Sequence, residues 1–378
     1  MRGMQRGAAP LPGFGGVPRL LKSPKSGGFR GLRKRFQTLF MMKTTDFDYE
    51  MPLERIAQTA VEPRDHSRLM VISRVDGSLS HRRFYDVGDY LRADDVLVCN
   101  DSRVIPARLF GHKADGGAKV ELLLLRRLEP GVWETLARPG RRLKLGSVVV
   151  LGEGSLEAKV VDKKGDGTIV VRLNDEVMLE GSGAVPLPPY IHEPLANPER
   201  YQTVYAREKG SVAAPTAGLH FTPEMMRRLQ DKGVSFVFVT LHLALDSFRP
   251  VQVDDPAKHV IHKEYGELGP EVAGEINRAR AEGRRVICVG TSSVRVVEHA
   301  AREGDVVKPF SGWTDLFILP GHRFKAVDAM LTNFHLPRST LLMLVSAFAG
   351  REMILRAYYE AMNLNYRFYS FGDAMLIL

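Results

Sequence analysis

Short strands with no intervening helix fill the middle of this 378-residue chain, from about residue 108 to residue 186. Gly/Asp turns separate several of these strands, as in Lys164-Gly165-Asp166-Gly167. The predicted strands are 120–125, 133–137, 147–151, 157–161 and 168–173. Evenly spaced short strands with turn signals are typical of a small β-barrel or sandwich. We therefore predict an inserted, small all-β barrel domain at residues 108–186.

Helical and strand patterns alternate after residue 200, and two short strands precede the barrel. The predicted helices are 222–232, 270–281, one from Val294, 339–349 and 351–362. The predicted strands are 69–73, 96–99, 235–241, 285–289, 316–319 and 374–378. This alternation predicts an α/β main domain with a mostly parallel sheet. Residues 42–107 and 187–378 would form that catalytic domain around the barrel.

Segment 1–41 is rich in Gly, Pro and basic residues and is predicted to be a disordered basic N-terminal tail. Residues 1–42 contain nine Lys or Arg residues and no Asp or Glu, which leaves 44 basic and 44 acidic residues in the rest of the chain. The net charge of +9 therefore does not identify a partner of the folded body. Three interpretations of the tail remain open: a targeting presequence, an RNA-binding arm, or a start codon assigned upstream of Met41 or Met42.

Cysteine content and hydropathy favour a cytoplasmic protein. Cys99 and Cys288 are too few for a disulfide framework, which indicates a reducing compartment. The apolar run at 341–349 is far shorter than the ~20 residues that span a bilayer, so we predict a buried helix and no membrane partner.

The stretch from Ser211 to Glu224 combines a loop of small residues with a helix start. The backbone of a Gly/Pro-punctuated loop can approach a ligand closely. Thr222 followed by Pro223 predicts an N-cap and a first helical position. Between the two halves lies His220, where a helix N-terminus could face an anion or a carbonyl group. A buried histidine that is satisfied by hydrogen bonds explains the same pattern.

Further polar residues follow predicted strands, which is where α/β proteins place their ligands. His242 follows strand 235–241, and an Asn100-Asp101-Ser102-Arg103 run follows strand 96–99. The latter also fits a turn closed by its own side chains. Thr291, Ser292 and Ser293 suit a phosphate, carboxylate or ribose, although Ser292 or Ser293 could instead cap a helix. The spacing of His259, His262 and Glu264 matches no standard metal site, so no metal is predicted.

Taken jointly, several long strings closely resemble the S-adenosylmethionine:tRNA ribosyltransferase-isomerase family of queuosine biosynthesis. The resemblance covers about residues 42–378, in order and without large gaps. The strings that carry it are Gly210-Ser-Val-Ala-Ala-Pro-Thr-Ala-Gly-Leu-His-Phe-Thr222, Asn100-Asp-Ser-Arg-Val-Ile-Pro-Ala-Arg-Leu109, Glu199-Arg-Tyr-Gln-Thr-Val-Tyr205, Gly290-Thr-Ser-Ser-Val-Arg295, Thr332-Asn-Phe-His-Leu-Pro337 and Gly372-Asp-Ala-Met375. The chain departs from the family pattern at Ala60, Ala244, Asp246 and His322, and Asp246 would place a carboxylate near the site.

The resemblance implies that the ribosyl part of S-adenosylmethionine moves onto the aminomethyl group of a deazaguanine at the tRNA wobble position. The sugar rearranges to an epoxycyclopentanediol, and adenine and methionine leave. S-adenosylmethionine is thus a substrate, and no other cofactor is expected. The partners are this precursor tRNA and S-adenosylmethionine, and we expect a monomer.

Site roles are assigned by chemistry. His220 and His242 suit proton transfer near neutral pH, so both are predicted to be catalytic and to face one ligand. Arg249 and Arg295 suit a carboxylate or phosphate, and Thr291 and Ser292 suit ribose or carboxylate. The predicted substrate-binding residues are Asn100, Asp101, Arg103, Thr216, Gly218, Arg249, Glu264, Thr291, Ser292, Arg295, Asn333 and His335. If neither histidine transfers the proton, Glu264 or Asp101 is the alternative.

A basic cluster between two barrel strands is the predicted RNA contact, since the folded body has no excess positive charge. It consists of Arg138, Arg141, Arg142 and Lys144. A solvated turn explains the same cluster. Two other functions remain open. An S-adenosylmethionine methyltransferase would not release adenine, and a non-catalytic RNA-binding barrel would bind tRNA without consuming S-adenosylmethionine.

Overall fold

The computed structural model describes residues 42–165, 167–244 and 250–378. The predicted tail at 1–41 and the predicted residues Asp246 and Arg249 lie outside this part of the chain. Residues 43–378 form one compact unit. None of the helices in the described part combines the length and the hydropathy needed to cross a bilayer.

The strands are, in chain order, β1 Arg68–Ile72, β2 Leu79–Arg83, β3 Val96–Asn100, β4 Ser102–Val104, β5 Arg108–Lys113, β6 Lys119–Glu129, β7 Val132–Arg138, β8 Val148–Leu151, β9 Leu156–Lys163, β10 Ile169–Leu173, β11 Gly183–Ala184, β12 Glu208–Ser211, β13 Ser235–Leu241, β14 Glu264–Leu268, β15 Val286–Val289, β16 Phe310–Thr314, β17 Ala329–Asn333 and β18 Ala374–Ile377. The α-helices are α1 Leu179–Ser182, α2 Pro223–Asp231, α3 Pro270–Ala281, α4 Thr291–Ala300, α5 Thr340–Ala349 and α6 Arg351–Asn363. Short 3-10 turns occur at Thr44–Phe47, Leu53–Arg55, Arg64–His66, Phe84–Asp89, Gly140–Arg142, Pro198–Tyr201, Thr216–His220 and Pro256–Lys258.

The main sheet has nine strands in the order β16-β14-β13-β3-β15-β17-β18-β1-β2. The four central strands β13, β3, β15 and β17 run parallel, as the α/β pattern predicted. Antiparallel pairings attach β14 and β16 at one side, and β18 also pairs antiparallel with β17. The sheet is therefore mixed, and the expectation of a mostly parallel sheet holds only for its centre.

A closed barrel of strands β5, β6, β7, β10, β9 and β8 interrupts the α/β order, and β11 adds to its edge. Closure comes from β5, which pairs with β6 on one side and with β8 on the other. Alternate residues point inward, as β9 illustrates: Leu156, Ala158 and Val160 are buried while their neighbours are exposed. The predicted fold class, an α/β domain with an inserted barrel, is confirmed.

The barrel core extends beyond the predicted segment 108–186. Ile105, Ala107 and Val212 are buried in the same apolar cluster as Trp133 and Leu143 of the barrel. The small β4–β12 pairing lies beside these residues in the chain. The barrel core thus includes residues of the two connections that lead to and from it.

Two predicted elements differ from the structure. Residues 316–319 form no strand, and Leu316, Phe317 and Ile318 line a cavity. The helix predicted from Val294 begins one turn earlier, at Thr291. A short apolar run does not by itself distinguish a strand from another buried segment.

Candidate active site

A cleft opens at the edge of the main sheet where the four central parallel strands end. The carboxyl ends of β13, β3, β15 and β17 lie side by side there. β18 and β1 run in the opposite direction to β17, so their amino-terminal ends lie at the same edge. The cleft has about 700 Å³ of free space, including its open mouth. Its walls include the loop 214–217, the start of α4 and residues 332–336.

Gly290 turns the chain from β15 into α4. Its φ of 88° and ψ of 153° form a combination that residues with side chains rarely adopt. Gly290 is the N-cap, so Ser292 and Ser293 lie within the first turn and do not cap the helix. Ser293 donates to the Val289 carbonyl oxygen at 2.8 Å, whereas Thr291 and Ser292 line the cleft. Two hydroxyl groups predicted to bind substrate therefore lie in the cleft.

A chain of hydrogen bonds connects the cleft to the buried ring of His220. The Thr216 hydroxyl donates to Asn333 Oδ1 at 2.9 Å, and Asn333 Nδ2 donates to His220 Nε2 at 3.1 Å. The other ring nitrogen, Nδ1, then carries the proton and donates to Ser67 Oγ at 2.7 Å. The ring also stacks on Phe84, with 4.9 Å between centroids. Thr216 and Asn333 line the cleft, and His220 lies behind them with both nitrogens occupied.

Two histidines near the cleft are neutral. Burial, with smaller contributions from Arg64 and Arg367, lowers the pKa of His220 to about 3. Burial also lowers the pKa of His335 to about 3, and its Nε2 lies 2.9 Å from the Thr332 hydroxyl. His335 lines the cleft, and its predicted role in substrate binding remains a prediction. At neutral pH both rings can take part in hydrogen bonds, but neither is an imidazolium that could donate a proton.

Arg295 and Glu264 form a buried ion pair that borders the cleft. Their side chains are only 6% and 3% exposed, and Arg295 Nη1 contacts Glu264 Oε2. Arg295 Nε donates to the Leu316 carbonyl oxygen at 3.1 Å, and Glu264 Oε1 accepts from the Ala244 N–H at 3.0 Å. Arg295 lines the cleft and also a second cavity, which Glu264 lines too.

Asn100 and Asp101 connect the ends of β3 and β13. Asn100 Nδ2 donates to the Leu241 carbonyl oxygen at 3.0 Å, and its Oδ1 accepts from the Leu241 N–H at 3.1 Å. Asp101 accepts from the Thr240 hydroxyl at 2.8 Å and pairs with Arg207 at 2.9 Å. Burial raises the pKa of Asp101, and these two partners oppose that rise. Both side chains therefore hold strand ends in place beside the cleft.

Gly218 and Arg103 lie apart from the cleft lining. A Cβ atom on Gly218 would lie 2.0 Å from the Tyr205 hydroxyl oxygen, so only glycine fits. The Arg103 guanidinium pairs with Glu199, and both residues line a surface depression next to the barrel connection.

His242 lies in a groove between the main sheet and the barrel. Arg126 of β6 lines one side of this groove, and Tyr265 and Trp313 line the other. The imidazole lies nearly parallel to the Tyr265 ring, with 6.2 Å between centroids. Its Nδ1 is buried without a hydrogen-bond partner among the described residues, and burial lowers the pKa of His242. The structure thus places His220 and His242 at different cavities and does not bring them to one ligand.

The four basic residues predicted to bind RNA lie at the end of β7 and in the turn after it. The side chains of Arg138, Arg141, Arg142 and Lys144 are all exposed, while Leu143 between them is buried in the barrel core. Within the described ranges, none of the four has an ion-pair partner. They form an exposed, uncompensated positive patch.

His259 and His262 line the second cavity together with Glu264. The described part of the chain contains no group of three or more His, Cys, Asp or Glu residues that could hold a metal ion. The structure therefore offers no support for a metal site at this spacing.

Several polar residues of the site were not predicted from the sequence, among them Ser67, Tyr190 and Ser370. Ser67 accepts the hydrogen bond from His220, and the hydroxyls of Tyr190 and Ser370 lie 2.7 Å apart in the wall of the cleft. Ser67 directly precedes β1, and Ser370 lies shortly before β18. Only the strand directions place these residues at the cleft, and direction is not encoded in local sequence pattern.

The fold and the cleft together define an α/β protein with a crevice at the carboxyl ends of parallel strands, which is where α/β proteins bind their ligands. The family model described as queuosine biosynthesis protein matches residues 44–377. The chain belongs to this family.

Relatives and a solved structure agree with this assignment. A protein of Dehalococcoides mccartyi named S-adenosylmethionine:tRNA ribosyltransferase-isomerase is 55% identical, over 89% of this chain and 100% of the relative. A protein of the same name from Moorella thermoacetica is also 55% identical, with the same coverage. The crystal structure of S-adenosylmethionine tRNA ribosyltransferase from Thermotoga maritima is 41% identical. The match covers 88% of this chain and 100% of the chain in that crystal structure, with a TM-score of 0.53.

Proposed function

We propose that the protein is an S-adenosylmethionine:tRNA ribosyltransferase-isomerase. It transfers and isomerises the ribosyl group of S-adenosylmethionine onto the aminomethyl-deazaguanine at the tRNA wobble position, giving epoxyqueuosine-tRNA. The amine nitrogen forms a bond to a sugar carbon and releases a proton, and the bonds from the sugar to adenine and to sulfur break. The sugar closes a carbon–carbon bond to give the carbocycle, and its ring oxygen exchanges one carbon–oxygen bond for another to give the epoxide. The sugar loses one C–H proton, and adenine gains a proton as it leaves. Methionine leaves as a thioether, which removes the positive charge of the sulfonium.

One observation carries this proposal. Relatives of that name are 55% identical to this chain and are matched along their whole length. The similarity therefore includes both the sheet that forms the cleft and the barrel. A shared fold alone would not identify the reaction. The cleft, however, contains polar groups suited to the proposed reaction.

Different residues at and near the cleft have different roles in the proposed reaction. The hydroxyls of Thr291 and Ser292 bind the ribose, and Asn333 holds the substrate with an amide fixed by His220. His220 is thus a positioning residue, because its ring nitrogens already bond Asn333 and Ser67. His242 lies in the neighbouring groove, and Leu243 lines both this groove and the cleft. His242 is therefore the candidate base for the sugar C–H next to the sulfonium where the substrate reaches from the cleft into the groove. Its imidazole is neutral, and its Nδ1 has no partner in the described part of the chain.

The proposed reaction also indicates which surface binds the tRNA and in which compartment the protein acts. The exposed patch Arg138, Arg141, Arg142 and Lys144 binds phosphates of the tRNA. S-adenosylmethionine is consumed as a substrate, and turnover needs no added cofactor. The protein acts as a monomer in the cytoplasm, where both substrates are found, and its buried thiols Cys99 and Cys288 remain reduced.

A single assay tests the proposed function. The protein is incubated with S-adenosylmethionine and tRNA that carries the aminomethyl-deazaguanine, and free adenine and the mass of the tRNA are measured. We expect adenine and methionine in equal amounts and a matching gain in tRNA mass. Unmodified tRNA serves as the control and should release no adenine.

Two results would replace the proposal. Formation of S-adenosylhomocysteine instead of adenine would identify a methyltransferase. Binding of the tRNA with no consumption of S-adenosylmethionine would identify an RNA-binding protein.

A further inference from the structure

The guanidinium of Arg295 has one nitrogen that the protein does not satisfy. Nε donates to Leu316 and Nη1 contacts Glu264, but the buried Nη2 has no hydrogen-bond partner among the described residues. Leaving a buried charged donor unpaired is unfavourable, and native proteins rarely do so without a functional reason. An acceptor on a bound ligand would remove this penalty.

The Arg295 side chain that carries this nitrogen lies between two cavities. Arg295 and Leu341 line both the cleft and the second cavity, so the two cavities meet at these side chains. Arg295 lies one helical turn after Thr291 in α4, and residues four apart share a helix face. A ligand whose ribose contacts Thr291 therefore has Arg295 within reach of the group attached to its ribose.

The charge of the pair decides which ligand group it suits. Arg295 and Glu264 neutralise each other, so the pair itself has no net charge to offer a phosphate, and the Glu264 carboxylate would repel one. A zwitterion complements it, with an anionic group at Arg295 Nη2 and a cationic group at Glu264. A carboxylate has about four lone-pair sites, so Glu264 can accept an ammonium group in addition to its present bonds.

We propose that the Arg295–Glu264 pair binds the α-amino-acid end of S-adenosylmethionine, with the carboxylate on Arg295 Nη2 and the ammonium group on Glu264. This inference rests on the proposed function. It assigns the methionyl end of the substrate to the junction of the two cavities and leaves the ribose at the first turn of α4.

The test compares S-adenosylmethionine with decarboxylated S-adenosylmethionine, which keeps the ammonium group and lacks the carboxylate. Adenine release is measured at saturating precursor tRNA for the wild type, Arg295→Lys and Glu264→Gln. Arg302→Lys, an exposed position beyond the end of α4, is the matched control. A charge-assisted hydrogen bond predicts that the wild type prefers S-adenosylmethionine by about 10- to 100-fold in kcat/KM.

The variants should separate the two contacts. Arg295→Lys should lose most of the preference for the carboxylate, because a single ammonium cannot serve Glu264 and the ligand in the same geometry. Glu264→Gln should weaken both compounds alike and keep the preference, since both carry the ammonium group. Arg302→Lys should match the wild type.

Equal use of the two compounds by the wild type, or an undiminished preference in Arg295→Lys, would overturn the inference while adenine release still supports the function. No adenine release from S-adenosylmethionine would overturn the function itself. If Arg295→Lys does not fold, the affinity of the wild type for each compound is measured by calorimetric titration instead. Equal dissociation constants for the two compounds would overturn the inference.

Discussion

At the scale of single residues, Gly218 is constrained by a neighbour rather than by its own backbone. A Cβ atom there would lie 2.0 Å from the Tyr205 hydroxyl and 2.8 Å from Thr203 Cγ2. Both contacts are far inside van der Waals distance, and the segment is fully buried. The Gly218 segment also leads directly to His220, so a shift here would move the hydrogen-bond chain at the cleft.

We expect Gly218→Ala to lower the free energy of unfolding by about 1–3 kcal/mol, as overpacking does in other cores. The measurement is urea unfolding of the variant and the wild type. Gly274→Ala in α3, where a Cβ atom meets nothing within 4 Å, is the control and should be neutral or stabilising by about 0.5–1 kcal/mol. Adding Tyr205→Phe should restore part of the loss. An unfolding midpoint of Gly218→Ala equal to the wild type would show that Tyr205 moves aside freely.

The buried histidines predict how stability depends on pH. The pKa of His220 and that of His335 are each lowered to about 3, whereas an unfolded histidine titrates near 6.5. Between these values the unfolded chain binds protons that the folded protein does not. Stability is therefore fully present above about pH 6.5 and falls as the pH decreases toward 3, by up to about 1.4 kcal/mol per pH unit for each residue.

Urea unfolding of the wild type and His335→Gln from pH 7.5 to pH 4.5 measures this effect. The variant should lose less stability on acidification than the wild type, whatever its stability at neutral pH. If the free energy of unfolding falls equally with pH in the two proteins, His335 becomes protonated in the folded state within this pH range.

Five residues predicted to bind substrate line the cleft, namely Thr216, Thr291, Ser292, Asn333 and His335, and their binding roles remain predictions. Only Thr291 and Ser292 were placed by a predicted parallel strand, because they follow the carboxyl end of β15. The shared cavity expected for the two histidines is not observed. Strand ends locate a residue, but they do not tell which way its side chain points.

At the scale of elements, the turn after β7 contains one buried residue between exposed basic residues. Leu143 packs into the barrel core and holds the turn against the barrel. Its basic neighbours therefore lie on the surface, where they are available to bind RNA. Patterning predicted β6 to β10 of the barrel, because turns and alternation are local signals, but it missed β5, which closes the barrel. In the main sheet it missed β2, β14, β16 and β17. β14 and β17 contain the polar residues Glu264 and Asn333, which interrupt the apolar pattern of a strand.

We expect the double variant Arg141→Gln/Arg142→Gln to weaken tRNA binding and to reduce the dependence of log K on log salt by about one unit per lost phosphate contact. Dissociation constants between low and physiological salt measure this slope. The control is Arg227→Gln/Arg278→Gln, which removes two exposed arginines that already pair with glutamates on α2 and α3. An unchanged slope in the first variant, or an equal change in both, would place the RNA elsewhere.

At the scale of the whole molecule, the region of similarity and the folded unit coincide. The family match begins at residue 44, and the compact unit begins at Lys43. Relatives are matched along their full length by 89% of this chain. The cleft, the barrel and the basic turn all belong to residues 43–378.

We therefore expect a protein that starts at Met42 to keep the melting temperature and the turnover of the full chain. Calorimetry and the adenine-release assay, run on both proteins at the same salt concentration, measure this. A large fall in turnover at low tRNA concentration, with an unchanged KM for S-adenosylmethionine, would instead make the basic tail an RNA-binding arm.

The position of β18 between β17 and β1 has a consequence for how the chain is made. The N–H of Arg68 bonds the Asp373 carboxylate, although the two residues are 305 positions apart. During synthesis on the ribosome, β1 has β2 as a partner from the beginning but must wait for β18 until nearly all of residues 43–378 have emerged. The barrel pairs only strands within 108–184 and can close much earlier. The cleft edge is therefore completed last, and until then an unpaired side of β1 is exposed to other chains.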